Sequence, residues 1–111
     1  MELRSGTLNF PSGTGERSLS MTFLFPREVV ATQVALTGYD AHYDDGDHHI
    51  QRLTVKLSSA PGAHVDEGFE ARVTATFNLR DDNGDDPFSG SVSFLLFAQT
   101  RSVVMPPGQL G

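Results

Sequence analysis

Apolar side chains recur at every second position in residues 69 to 80, and this rhythm constrains the fold more than any other feature of the chain. The apolar set is Phe69, Ala71, Val73, Ala75, Phe77 and Leu79, and the intervening set is Glu70, Arg72, Thr74, Thr76, Asn78 and Arg80. A period of two places the two sets on opposite faces of a β-strand, and helical spacing does not reproduce it. The pattern predicts a long strand with one buried face, in which Phe77 belongs to the core.

Five further segments have alternating or β-branched character: residues 3–10, 18–25, 29–39, 50–58 and 91–99. Turn-forming residues separate them, and no segment has the pattern of an amphipathic helix. We predict an all-β fold, a single six-stranded antiparallel β-sandwich domain over residues 1–104, with a small barrel as the alternative. The tail, residues 105–111, begins Met-Pro-Pro-Gly and is predicted to be flexible.

In the last strand, Leu95 and Phe97 face away from Val92 and Phe94, so both of its faces are apolar. Loops are predicted at residues 11–17, 26–28, 40–49, 59–67 and 81–89. If every connection reverses the chain, the loops alternate between the two ends of the sandwich. The first, third and fifth loops then share one end, and the other two share the opposite end.

The acidic residues are concentrated in two of these loops, around Asp40, Asp44, Asp45 and Asp47 and around Asp81, Asp82, Asp85 and Asp86. The formal charge of −6 argues against a nucleic-acid partner held through its phosphates. The sequence has no apolar run long enough to span a membrane and no visible signal peptide. The absence of cysteine excludes disulfides and thiolate metal sites.

Two stretches contain metal-ligand residue types. Asp81, Asn83 and Asp85 supply oxygen ligands at alternate positions and are a candidate calcium site, but Asn83-Gly84 is also a common tight-turn dipeptide. The second stretch offers nitrogen and oxygen ligands for zinc, although adjacent histidines on a strand point in opposite directions: Asp40, His42, Asp47, His48 and His49. We expect no required cofactor, with calcium as the candidate ion.

Catalytic motifs are not apparent. The segment FSGSVS (88–93) does not match a nucleophile elbow, and GTGERS (13–18) lacks the lysine of a phosphate-binding loop. A pair of catalytic carboxylates remains open because acids are plentiful. We expect a protein that is not an enzyme, with an acid-using hydrolase as the minor alternative.

An ordered series of segments resembles the H-type lectin domain, the family of the snail agglutinins that bind N-acetylgalactosamine. The segments are RSGTLNF near the start, MTFLFP (21–26), VALTGYD (34–40), IQRLTVKL (50–57), EGFEARVTATF (67–77) and SVSFLLFA (91–98). Together they cover almost the whole chain in order. The resemblance implies a six-stranded antiparallel sandwich that assembles as a homotrimer and binds a glycan near a subunit boundary.

The resemblance also implies site residues. Arg52 matches a sugar-binding arginine of the fourth strand, and Glu16 is a loose counterpart of an acid in the first long loop. The family's Trp-His pair on the fifth strand is replaced by Thr76 and Phe77. The likeness therefore predicts the fold better than it predicts the sugar.

Saccharides are bound by planar hydrogen-bonding side chains and by an aromatic face for their C–H patches. Asn78 and Arg72 lie on the polar faces of the predicted strands, and Tyr39 and Tyr43 flank the acidic loop as candidates for an exposed stacking surface. The leading hypothesis is a lectin-like module assembled as a homotrimer, located outside the cell or on a particle surface. The alternative is a structural, adhesive or receptor-binding domain of a larger particle, such as a fibre or tail, without sugar-binding activity.

Overall fold

A computed structural model describes residues 1–44, 52–80 and 86–101. This part of the chain is all-β and contains the six predicted strands: β1 (Glu2–Gly13), β2 (Arg17–Phe25), β3 (Val29–Tyr43), β4 (Arg52–Val65), β5 (Gly68–Arg80) and β6 (Phe88–Thr100). Within it there is no helix that could cross a bilayer. The predicted calcium ligands Asp81, Asn83 and Asp85 and the predicted tail lie outside the described residues.

The strands form two three-stranded antiparallel sheets. Sheet A has the order β1-β6-β3, and sheet B has the order β2-β5-β4. Every connection except the β4–β5 hairpin passes from one sheet to the other. β5 and β6 are therefore the central strands, and the other strands are edges.

The core lies between the two sheets and is dominated by phenylalanine. The largest fully buried side chains include Phe25, Phe77, Phe88 and Phe94. Phe77 of sheet B contacts Phe10 and Phe88 of sheet A, with ring centroids 5.0 and 5.4 Å apart. The two sheets thus pack face to face in a sandwich-like arrangement, and the prediction that Phe77 is a core residue is confirmed.

The predicted strands existed, but four of the predicted loops were too long, the last of them because β6 already begins at Phe88. β1 continues through Pro11 to Gly13, β3 continues to Tyr43, and β4 continues through Pro61 to Val65. Proline is tolerated because β1 and β4 are edge strands, where one side of the backbone needs no ladder partner. Both strands also have register shifts, after Phe10 and after Pro61, which absorb the irregular residues.

The two ends of the molecule follow the predicted alternation within the described residues. Gly13 and Tyr43 both pair with Phe88, so the first, third and fifth loops leave the sheets at one end. Phe25 pairs with Phe69 at the opposite end, beside the β4–β5 turn at residues 66 and 67. We call the first of these ends the acidic end, because the Asp-rich stretches follow β3 and β5 there.

Candidate functional site

The outward face of sheet B is predominantly polar. Its side chains alternate with the buried set and belong to three strands: Ser18, Ser20, Thr22 and Leu24 from β2; Glu70, Arg72, Thr74, Thr76, Asn78 and Arg80 from β5; and Arg52, Thr54, Lys56, Ser58 and Ala60 from β4. Two hydrogen bonds between side-chain hydroxyls link β2 to β5. The oxygen–oxygen distance is 2.8 Å for Ser18–Thr76 and 2.9 Å for Ser20–Thr74. This face is an extended hydrogen-bonding surface.

Arg52 and Arg80 are direct cross-strand partners at the acidic end of this face, and both are exposed. Asn78 is opposite Thr54, which makes it the diagonal neighbour of Arg52. Diagonal neighbours in an antiparallel pair lie about 7–8 Å apart, within reach of one sugar ring. The structure thus brings together Arg52 and Asn78, and adds Arg80 to them.

Arg72 lies on the same face but far from Arg52. Eight residues of β5 separate it from Arg80, about 26 Å along an extended strand. Arg72 instead borders a shallow recess of about 220 Å³ with Thr22, Pro61 and Glu70. The register shift between Pro61 and His64 lies at this recess.

The remaining predicted ligand residues lie elsewhere. Tyr39 is on β3, the edge strand of sheet A, and is 53% exposed. Tyr43 is half-buried and packs against the hydrophobic core, which leaves Tyr39 as the exposed ring of the two. Glu16 is exposed in the β1–β2 turn, at the same end of the sandwich as Arg52.

The outward face of sheet A differs from that of sheet B. The half farther from the acidic end carries five apolar residues, among polar ones that include Ser5 and Gln33: Leu3 on β1, Leu95 and Phe97 on β6, and Ala31 and Ala35 on β3. The second apolar face predicted for the last strand is therefore real, and Leu3 is 51% exposed on it. We call these five residues the apolar patch.

The acidic end of the same face carries a polar network across all three strands. The Ser12 hydroxyl of β1 donates a hydrogen bond to Asp44 Oδ2. The Ser89 hydroxyl of β6 donates a hydrogen bond to Asp44 Oδ1 at 2.7 Å. His42 Nε2 is 3.1 Å from Ser89 Oγ, and His42 Nδ1 is 3.0 Å from Asp40 Oδ2. The Asp44 backbone N–H also donates to the carbonyl oxygen of Pro87.

Hydrogen bonding makes Asp44 a stronger acid. The hydroxyls of Ser12 and Ser89 lower the pKa of its carboxyl group, His42 and Arg17 lower it further through their charge, and desolvation opposes them. Hydrogen bonds to the ionised form stabilise that form. Asp44 is therefore stabilised in its ionised form. Its carboxylate links β1 and β6 to the end of β3 through the two serine hydrogen bonds.

Ser89, His42 and Asp40 are connected in the order of a nucleophilic triad, but the protons are arranged differently. Ser89 has one proton, and it gives that proton to Asp44. That proton is then not directed at His42 Nε2, which is 3.1 Å from Ser89 Oγ, and the other ring nitrogen of His42 is 3.0 Å from Asp40 Oδ2. A general base must accept the proton of the nucleophile, so this geometry supports a structural network rather than an activated serine.

The described residues contain no group of three or more His, Asp or Glu side chains arranged to hold a metal ion. Of the predicted zinc ligands, Asp40 and His42 bond to each other at 3.0 Å, whereas Asp47, His48 and His49 lie outside the described residues.

Two features were missed by the sequence reasoning. Arg80 was not identified as the partner of Arg52 because residues 59–67 were predicted to be a loop, and a loop of that length does not fix a hairpin register. The Ser12–Asp44–Ser89 network was missed because its members are distant in sequence and meet only through β6. A tight turn at residues 66 and 67 would by itself have placed Leu53 opposite Arg80, and the register shift between Pro61 and His64 brings Arg52 to that position.

No protein-family model matches the chain, and no curated protein or solved structure is significantly similar to it.

Proposed function

We propose that the chain is a non-enzymatic, lectin-like carbohydrate-binding module that assembles as a homotrimer. The observation that carries the proposal is the group formed on the outward face of sheet B by the exposed Arg52 and the half-buried Thr54 and Asn78. A guanidinium, a carboxamide and a hydroxyl together offer the planar donors and acceptors that saccharide hydroxyls require. The all-β sandwich-like architecture is the one expected from the resemblance to H-type lectins.

The position of Arg52 favours recognition of a ligand from solution. Its side chain is exposed, and no described residue forms an ion pair or hydrogen bond with it. Within the described part of the chain, the hydrogen-bonding capacity of this guanidinium is therefore unused. Arg72 and the recess beside it lie about 26 Å from Arg80 along β5. We assign the primary site to Arg52 and treat Arg72 as a separate, secondary contact.

The apolar patch supports the homotrimer. Leu3, Leu95 and Phe97 lie on a sheet face that the described residues leave uncovered, and burial of apolar area contributes about 25 cal/mol per Å². A contact between copies of the chain would remove this surface from water. It would leave the outward face of sheet B free for glycans.

A glycan array with the purified chain, with and without calcium, tests the proposal, followed by titration of the best saccharide. We expect Arg52→Gln to weaken binding about tenfold or more, equivalent to about 1.4 kcal/mol. Arg27→Gln is the matched control, because Arg27 is exposed in the β2–β3 turn at the opposite end. Failure to bind any saccharide would refute the proposal.

The second candidate function is a structural or adhesive domain of a larger particle, and the apolar patch is the observation that favours it. In that case the contacts between subunits are the function. Stable trimers in sedimentation velocity, combined with no binding on the array, would establish this alternative in place of the lectin.

A further inference from the structure

The register of β4 and β5 places two arginines directly opposite each other. Arg52 and Arg80 are Cα partners, and both side chains are exposed on the outward face of sheet B. Like charges at opposed positions of a sheet are destabilising. No carboxylate among the described residues is paired with either of them. An anion placed between the two guanidinium groups would relieve this repulsion.

A third cation extends the pair along the same face. Lys56 is exposed and lies four residues after Arg52 on β4, about 13 Å along the strand. The positions between these cations carry neutral hydrogen-bonding side chains, Thr54 and Asn78, which pair with each other across the strands. The result is a strip of three cations with uncharged donors and acceptors between them.

Acidic residues are scarce on this face. Its one acid within the described residues is Glu70, ten residues from Arg80 along β5 and so about 33 Å away. The chain as a whole is acidic, with a formal charge of −6, so a basic strip is not a consequence of its composition. Asp81 and Asp82 follow Arg80 in the sequence and lie outside the described residues.

We infer that the ligand of the proposed glycan site is an anionic saccharide, whose sulfate or carboxylate groups bind across Arg52, Arg80 and Lys56. This inference rests on the proposed function and specifies the class of its ligand. Arginine binds planar or tetrahedral oxyanions through two parallel N–H donors, which a neutral sugar does not exploit fully. Thr54 and Asn78 are placed to bind the ring hydroxyls between the charged groups.

Nucleic acid is the other polyanion that a basic strip could attract. The outward positions of sheet B within the described residues include no aromatic residue on which a base could stack. The hydroxyl-rich surface around the cations is better suited to saccharide hydroxyls. The saccharide is therefore the assigned partner.

Isothermal titration with three matched probes tests the inference: a sulfated chondroitin hexasaccharide, its desulfated form that keeps the uronates, and a neutral chitohexaose. We expect at least one anionic probe to bind about tenfold or more tightly than the neutral one. The first two probes distinguish recognition of sulfate from recognition of carboxylate. Binding should weaken as NaCl is raised from about 50 to about 300 mM, because salt screens exposed charges.

Variants locate the site. Arg80→Gln and Lys56→Gln should each weaken binding of the anionic probe about fivefold or more, while Arg27→Gln leaves it unchanged. The double variant Asp81→Asn and Asp82→Asn should strengthen binding, because it removes negative charge next to Arg80 in the sequence. Matching melting temperatures exclude misfolding as the cause.

The experiments distinguish failure of the anionic-ligand inference from failure of the proposed glycan-binding function. If neutral and anionic probes bind equally well and Arg52→Gln abolishes both, the inference about the ligand is overturned while the glycan-binding function stands. If single-stranded DNA of matched charge competes equally with the anionic probe, the inference is also overturned. If no saccharide binds at all, the proposed function itself fails.

Discussion

Arg17 lies over the Phe88 ring, 4.7 Å from its guanidinium carbon to the ring centroid, and donates from Nη2 to the Phe88 backbone oxygen at 2.9 Å. It also donates from Nη1 to the carbonyl oxygen of Pro11. One side chain of β2 thus holds the end of β1 and the start of β6, and so joins the two sheets at the acidic end.

Replacing Arg17 with lysine should destabilise the fold by about 1–3 kcal/mol, because lysine keeps the charge but loses the planar fork that bonds several carbonyls at once. The measurement is the midpoint of urea unfolding. Arg27→Lys, at an exposed turn, is the control and should leave the midpoint unchanged. Equal midpoints for the two variants would show that Arg17 does not join the sheets.

Gly90 is required by close packing at the centre of sheet A. A Cβ added there would collide with the Asp40 carbonyl oxygen and lie 2.8 Å from Phe77 Cζ. Gly90→Ala should therefore cost about 1–3 kcal/mol or more through overpacking. Gly38→Ala is the matched control, since its Cβ would meet no atom within 4 Å and the change should stay within about 1 kcal/mol. Thermal melts of both variants measure the loss of stability. A similar fall in melting temperature for Gly90→Ala and Gly38→Ala would contradict the prediction.

The Asp44 network should make stability depend on pH in the acidic range. Because the folded-state pKa of Asp44 is lowered, its contribution is fully present above the unfolded value of about 3.9 and is lost as the pH falls through the lower folded pKa. Unfolding free energies of the wild type and Asp44→Asn between about pH 2 and pH 6 measure this. The difference between the two proteins should shrink at the acidic end, and a constant difference would rule out the linkage.

Assembly through the apolar patch predicts different effects for two exposed leucines. Leu3 lies in the patch on sheet A and is 51% exposed, whereas Leu24 lies on the outward face of sheet B and is 45% exposed. Leu3→Ser should weaken trimer association about tenfold or more, and Leu24→Ser should not change it. Sedimentation velocity over a concentration series reports both. A trimer that tolerates Leu3→Ser and loses association with Leu24→Ser would place the interface on sheet B.

The alternation of side chains by itself determined which residues of β5 and β6 face inward. The buried positions of β5 and β6 and the outward direction of Leu95 and Phe97 agree with a period of two. The grouping of the loops at two ends also followed from the sequence, because antiparallel connections reverse the chain. Arg52, Asn78 and Arg72 were correctly assigned to a polar face, since burial of one strand face leaves the other outside.

The tertiary structure alone decided which strands are neighbours and in what register they pair. β1 and β3 flank β6, so Ser12, Asp44 and Ser89 meet although they are distant in sequence. A period of two specifies the face of a side chain but not its partner, because pairing depends on long-range packing and on where the turns fall. For the same reason, the opposition of Arg52 and Arg80, on which the anionic-ligand inference depends, became visible only when β4 and β5 were folded against each other.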